Sequence, residues 1–271
     1  MFRLFAVVIL LIPLSAQARE KKPSGSDRPV ASELYDKGLR YMRRGYYTKA
    51  MEYFQRVRNY HRDDPASVLA QLAIADLHFK KSEYEQARYA YEEFGSYHPR
   101  HTLMDYVTFR TGLSIYKRAP KAAGRDQSAT RGAVSVWTGF ESRFPSSKHQ
   151  EEVDDFSLKG RDRLALKELW VARFYEGREA WGAVQGRARG LIRRYPSSAH
   201  VPEALYMLGM SRHRWGDTKG AAEAREMLAA DHADSGYLER LDKELAKEPG
   251  TKPDEAVFVR PYRIRGLTPG T

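Results

Sequence analysis

Residues 31–65, ASELYDKGLRYMRRGYYTKAMEYFQRVRNYHRDDP, hold the pattern that decides the fold. Gly38, Tyr41, Gly45, Tyr47, Ala50, Phe54 and Pro65 are spaced for a helix, a short turn and a second helix. Small residues at Gly38 and Ala50 let the two helices approach closely, and Tyr41, Tyr47 and Phe54 fill the space between them. Pro65 cannot continue the second helix and marks its end.

The frame recurs outward from this stretch. The second unit has Ala75, Tyr84, Ala87, Tyr91, Phe94 and Pro99 in the matching places. The third has Gly112, an inserted RAPKAAGRD over 118–126, then Ala133, Trp137, Phe140 and Pro145. The fourth, entered by a long helical stretch from about Lys148, has Ala172, Tyr175, Trp181, Ala188, Leu191 and Pro196. The fifth has Leu205, Leu208, Gly209, Gly216, Ala221 and Leu228. Related text marks the junctions: Asp64-Pro65-Ala66-Ser67, Phe144-Pro145-Ser146-Ser147, Tyr195-Pro196-Ser197-Ser198 and the variant Ala233-Asp234-Ser235. Each junction serine is placed to cap the helix that follows. Five matches to tetratricopeptide spacing predict an all-α, right-handed superhelical solenoid of about five helix pairs over 31–247. Leu238, Leu241 and Leu245 recur at helical spacing within Ser235–Lys247, which reads as a C-terminal capping helix.

The flanks differ in kind. Met1-Phe2-Arg3, the apolar run over 4–14 and the small-residue exit Ser15-Ala16-Gln17-Ala18 read as a secretory signal peptide over 1–18. The run is shorter than the ~20 apolar residues a membrane helix needs. It also contains Pro13. Residues 19–30 are polar and rich in Pro, Gly and Ser, a flexible linker, and 248–271 read as an irregular tail.

Of 271 residues, 46 are Lys or Arg and 35 Asp or Glu, a formal charge of +11. That balance points to anionic partners, but an exported protein meets no genome, so no nucleic acid is expected. The chain has no cysteine, which excludes disulfides, thiolate zinc sites, iron–sulfur clusters, a cysteine nucleophile and an N-terminal lipidated cysteine.

In a solenoid of this repeat the first helix of each unit lines the concave face. The fifth, ninth, twelfth and thirteenth residues of the units turn inward. In the first three units these are Tyr35, Leu72 and Phe109; Leu39, Asp76 and Leu113; Met42, Phe79 and Tyr116; and Arg43, Lys80 and Lys117. The three basic residues recur 37 apart beside an aromatic residue or Met. Apolar wells along a row of cations suit an extended peptide with aromatic side chains and a negative end. The alternative is that the apolar positions pack between units and the basic ones form a solvated face. The two-carboxylate clamp of chaperone-binding repeats is absent, because Tyr35 and Leu39 stand where it needs Lys or Asn.

No motif of hydrolase, nucleotide-binding or zinc-protease type occurs, so no catalytic residue, metal or cofactor is expected. His98 and His101 flank an inter-unit turn without further ligands at metal spacing, and Glu151, Glu152, Asp154 and Asp155 suit a helix start. Gly182, Gly186 and Gly190 fall on one stripe of one helix. Each costs about 0.8–1 kcal/mol in a helix interior, so a close contact must compensate. Tight packing inside the solenoid would do this. So would a flat basic docking face bordered by Arg187, Arg189, Arg193 and Arg194.

Longer blocks carry a family resemblance. They are Asp105-Tyr106-Val107 leading to Gly112-Leu113, Arg125-Asp126, Phe144-Pro145-x-Ser147, and Arg163-Leu164-Ala165 with Glu168, Val171-Ala172 and Tyr175. The last is Ala180-Trp181-x-Ala183-Val184-x-x-Arg187-x-x-Gly190-Leu191-x-x-x-Tyr195-Pro196. Over about 31–235 the chain resembles the BamD (YfiO/ComL) family, the tetratricopeptide subunit of the outer-membrane β-barrel assembly machinery. The resemblance implies a non-catalytic periplasmic scaffold at the outer membrane. Its N-terminal half (31–145) would receive targeting segments of unfolded outer-membrane proteins. Its C-terminal half (146–247) would dock on the barrel insertase BamA and other subunits. Arg187 then carries over as an ion-pair donor to the partner, with Gly182, Gly186 and Gly190 beside it. Family members usually begin mature life as a lipidated cysteine, so membrane association here is expected to be indirect, through partners. A periplasmic repeat adaptor of the cell-wall or Tol–Pal system is the main rival. Such proteins commonly carry an N-terminal coiled coil, and residues 19–30 hold no heptad. An envelope-polymer enzyme would need convergent acid and base residues that are not seen.

Overall fold

The computed structural model describes residues 30–251. The expected signal peptide, the linker up to 29 and the tail from 252 lie outside them. The first pair is α1 (Ala31–Arg43) with α2 (Tyr47–Tyr60), and the second α3 (Pro65–Lys80) with α4 (Tyr84–Tyr97). The third is α5 (Met104–Arg118) with α6 (Ser128–Trp137) and the short α7 (Phe140–Arg143). α8 (Gln150–Glu176) pairs with α9 (Trp181–Arg194), and α10 (Val201–Arg214) with α11 (Thr218–Asp231). A 3-10 turn (Ala233–Ser235) leads to α12 (Tyr237–Leu245). No strand occurs among the described residues. Successive helices pack on one another, giving a single row of helix pairs.

The first pair shows why. A Cβ on Gly38 would lie 2.5 Å from Cε1 of Phe54, so only glycine admits that ring. Phe54, Ala50 and Val57 are fully buried, and Tyr41 stacks on Tyr53 at 5.4 Å between centroids. The turn out of α1 uses Gly45 at φ +80°, a conformation glycine adopts without steric cost. Ser82 and Glu179 hold equivalent turns at φ 61° and 55°, where a side chain costs roughly 1–2 kcal/mol.

Two local expectations change. At the first junction Asp64, not a serine, caps α3, accepting the Ala66 N–H at 2.8 Å. Ser147, Ser198 and Ser235 sit too early to cap. Each instead accepts the N–H two residues on, from His149, His200 and Tyr237. The second helix of the third unit is broken at Thr138-Gly139, where Gly139 takes φ +69°. Arg143 bridges the break, donating from Nη2 to the Val136 carbonyl at 2.8 Å.

The core is divided into clusters along the row, and the last spans units four and five under α12. Leu241 of α12 is fully buried there against Gly209. α8 is the exception to the two-helix rhythm. With 27 residues it is about 40 Å long. Its contacts reach α5 and α6 as well as α9 and α10, so it bridges the third and fourth units.

Candidate functional site

α1, α3 and the start of α5 enclose a cavity of about 450 Å³ on the face of the first helices. Tyr35, Leu39, Met42 and Leu72 form its apolar wall, and Asp76, Tyr106 and His149 its polar floor. Of the expected groove residues, Tyr35, Met42 and Leu72 are therefore brought together. The other aromatic positions are not open wells. The Arg110 guanidinium lies 3.6 Å from the Phe79 ring centroid, and Tyr84 meets that ring edge-on. Phe109 is buried and stacked on His149 at 5.2 Å. Tyr116 packs between Trp137 and Phe156, and its hydroxyl accepts from Arg163 at 2.8 Å. For Phe109 and Tyr116 the cause is α8, whose Phe156 and Arg163 occupy the space beside the third unit.

The cation row also moves. Arg43, Lys80 and Lys117 are exposed in the last turns of α1, α3 and α5 and do not line the cavity. They mark its rim.

At the floor, Asp76 organises a network across three helices. Its Oδ1 accepts from the Tyr91 hydroxyl at 2.5 Å and the Tyr106 hydroxyl at 2.6 Å. Arg110 donates from Nε to the Tyr91 oxygen at 3.1 Å and stands 4.0 Å from the carboxylate. Burial, then the Asp76 charge, pushes both phenols well above their ordinary value. Burial opposes the Arg110 charge, but its interactions with Tyr91, Tyr106 and Asp76 outweigh it and raise its pKa. Tyr35, on the wall, is likewise raised by burial first and then by Asp76 and Asp36. Sequence reasoning placed Asp76 on the inward face without a role. A lone carboxylate inside the apolar run VLAQLAIADLHF (68–79) was the available signal.

The second candidate surface lies on α9. Glu168 of α8 accepts from Arg194 at 2.6 Å and Arg187 at 3.2 Å. These residues, with Tyr175, Arg193, Gly186 and Gly190, line a cavity of about 390 Å³. Open space lies beyond Gly186, and a Cβ on Gly190 would meet only the end of Arg194 at 3.0 Å. Gly182 sits half-buried in the first turn. Gly186 and Gly190 thus face the surface cavity. Arg187 already has a carboxylate partner within the chain, while remaining 46% exposed.

The chain is similar to several known proteins. A model of the YfiO family, described as an outer membrane lipoprotein, matches residues 28–228. The outer membrane protein assembly factor BamD of Neisseria meningitidis serogroup A is 28% identical over 201 residues, covering 71% of this chain and 75% of that protein. BamD of Xylella fastidiosa strain 9a5c is 27% identical over 229 residues (81% and 78%), and that of Haemophilus influenzae 25% over 240 (84% and 88%). Among solved structures, a thermophilic tetratricopeptide protein of Thermus thermophilus covers 80% of this chain and 99% of its own, at 15% identity and a TM-score of 0.35. The type IV pilus biogenesis factor PilW covers 79% and 99%, at 13% and 0.34.

Fold and surfaces together define a tetratricopeptide-type helical-repeat protein. The chain belongs to the BamD/YfiO family of outer-membrane protein assembly factors, which are non-catalytic. Although the family model is described as a lipoprotein, none of the 271 residues is a cysteine.

Proposed function

We propose that the protein is a periplasmic scaffold of outer-membrane protein assembly. Its N-terminal units (31–145) hold the targeting segment of an unfolded barrel protein, and its C-terminal units (146–247) dock on a BamA-type insertase. The carrying observation is the open cavity walled by Tyr35, Leu39, Met42 and Leu72, in a chain whose relatives are assembly factors. An aromatic side chain fits the wall by burying apolar surface. Asp76, on the floor, favours a hydrogen-bond donor on the peptide over the negative end that the cation row alone suggested.

A photo-crosslinking residue at Leu69, which is 36% exposed on the cavity, is expected to capture a peptide ending in Phe. The same group at Met227 in the fifth unit should not. Labelling at Met227 alone would sink the groove assignment. For the second surface, Arg187→Glu sets a carboxylate against Glu168 and removes a donor from the candidate face. It should weaken association with a BamA-type barrel by about 2 kcal/mol or more and leave the helical circular-dichroism signal intact. Undiminished co-purification would remove Arg187 from the interface.

A further inference from the structure

The turns within each pair and the junctions between pairs lie on opposite edges of the row, and over the first three units the within-pair edge is the more basic of the two. The within-pair edge carries Arg43, Arg44, Lys80, Lys117, Lys121 and Arg125, all exposed. Among the described residues none of these six is in an ion pair, whereas their neighbours Lys81 and Arg118 are held by Glu83 and Glu85. The junction edge is mixed: exposed Asp63, Glu151, Glu152, Asp154 and Asp231 lie among exposed Arg62, Arg100, Lys148, Arg193 and Arg194. Cations in the last helical turn complement the helix dipole. That reason does not extend to Lys121 and Arg125, which lie in the inserted loop beyond the end of α5.

The basic edge is continuous through the third unit into the fourth. Arg118 pairs with Glu85 of the second unit, and Lys167 of α8 donates to the Gly124 carbonyl of the inserted loop at 3.0 Å. Large aromatics are exposed along it: Tyr46 at 58%, Trp170 at 47% and Phe174 at 44%. Lys167 stands 4.8 Å from the Trp170 ring, and Arg178 3.5 Å from the Phe174 ring. Cations beside solvent-exposed aromatics are the side-chain combination found at the headgroup level of bilayers.

We infer that this basic, aromatic-bearing edge is a docking surface for an anionic phospholipid bilayer. Charge complementarity selects the occupant, and the spread of cations over three units fits an extended surface better than a single acidic peptide. The cavity wall of Tyr35, Met42 and Leu72 lies on the face of the first helices, so lipid docking leaves it open. In a chain without cysteine, such contact supplies membrane attachment that involves no acyl chain.

The test uses the chain from Arg19 to Thr271, which retains every described residue, and phosphatidylethanolamine vesicles with or without phosphatidylglycerol. Co-sedimentation is expected only with phosphatidylglycerol present, and should fall at high salt. Each Lys or Arg near an anionic leaflet contributes about fivefold. The triple variant Arg44→Gln, Lys121→Gln, Arg125→Gln should therefore lose roughly 100-fold in vesicle affinity. The charge-matched triple Arg62→Gln, Arg100→Gln, Arg161→Gln, at exposed sites off this edge, should lose far less. Equal loss in both triples would mean that net charge alone binds, and would overturn the assignment. So would equal sedimentation with neutral vesicles. Failure to bind any vesicle while the edge variant loses an acidic protein partner would give the edge to that partner instead.

Discussion

Phe54→Ala is expected to destabilise the first helix pair by about 3–5 kcal/mol, the usual cost of emptying a fully buried aromatic site. The ring is 0% exposed and sits over Gly38, where no side chain can collapse into the space, and Tyr35 contacts it at 5.7 Å between centroids. Stability in a row of repeats is close to a sum of units and nearest-neighbour interfaces. The loss should therefore stay local. Hydrogen exchange should accelerate across residues 31–60 and remain slow across α8 to α11. Because Tyr35, Leu39 and Met42 belong to the same pair, peptide capture at Leu69 should fall with it. Uniform loss of protection along the chain would contradict this repeat-wise account.

The second large effect is at Asp76. Asp76→Ala leaves the Tyr91 hydroxyl, on a fully buried ring, and the Tyr106 hydroxyl without their acceptor, and removes the carboxylate beside Arg110. Unsatisfied buried donors and an uncompensated charge together cost about 3 kcal/mol, moderated by water because Asp76 is 23% exposed. Asp76→Asn keeps an acceptor and should lose about half as much. Urea midpoints measure both, and an alanine variant within about 0.5 kcal/mol of the parent would show the network to be idle. The same network sets an alkaline limit. The folded phenols of Tyr91 and Tyr106 titrate above the ordinary 10.0, raised by burial and then by Asp76. The unfolded chain releases those protons near pH 10 while the native one keeps them. Their contribution is thus intact below about pH 10 and is lost as pH rises beyond it. Tyr106→Phe should flatten that alkaline fall in stability.

The helix pairs were legible because the residues that make them are local. Gly38, Ala50 and Phe54 specify one close approach within a single unit, and the frame repeats. Junction capping was misread because the same Pro-x-Ser text can place its serine at the cap or ahead of it, and only the backbone distinguishes the two. The groove was half legible. Tyr35, Met42 and Leu72 face one another as their repeat positions require. Phe109 and Tyr116 do not, because α8 overruns its unit and brings Phe156 and Arg163 alongside, a tertiary fact without a signature in the spacing. Asp76 drew no role because its partners lie on α4 and α5, 15 and 30 residues away. Arg187 stood out within its block, but its pairing with Glu168 spans two helices and is visible only once they are packed.

The helix that filled part of the groove also joins the cavity floor to the candidate surface on α9 mechanically. Glu168, which holds Arg187, and His149, at the foot of α8, belong to one rod, separated by about 28 Å at 1.5 Å per residue. No loop interrupts it to absorb rotation. A tilt of about 10° imposed by a partner at the Glu168 end would swing the His149 end by about 5 Å, comparable to the width of an aromatic ring. A clasp on α9 would then act as torque on the cavity where His149 forms the floor, so that engagement at one surface resizes the other through a lever.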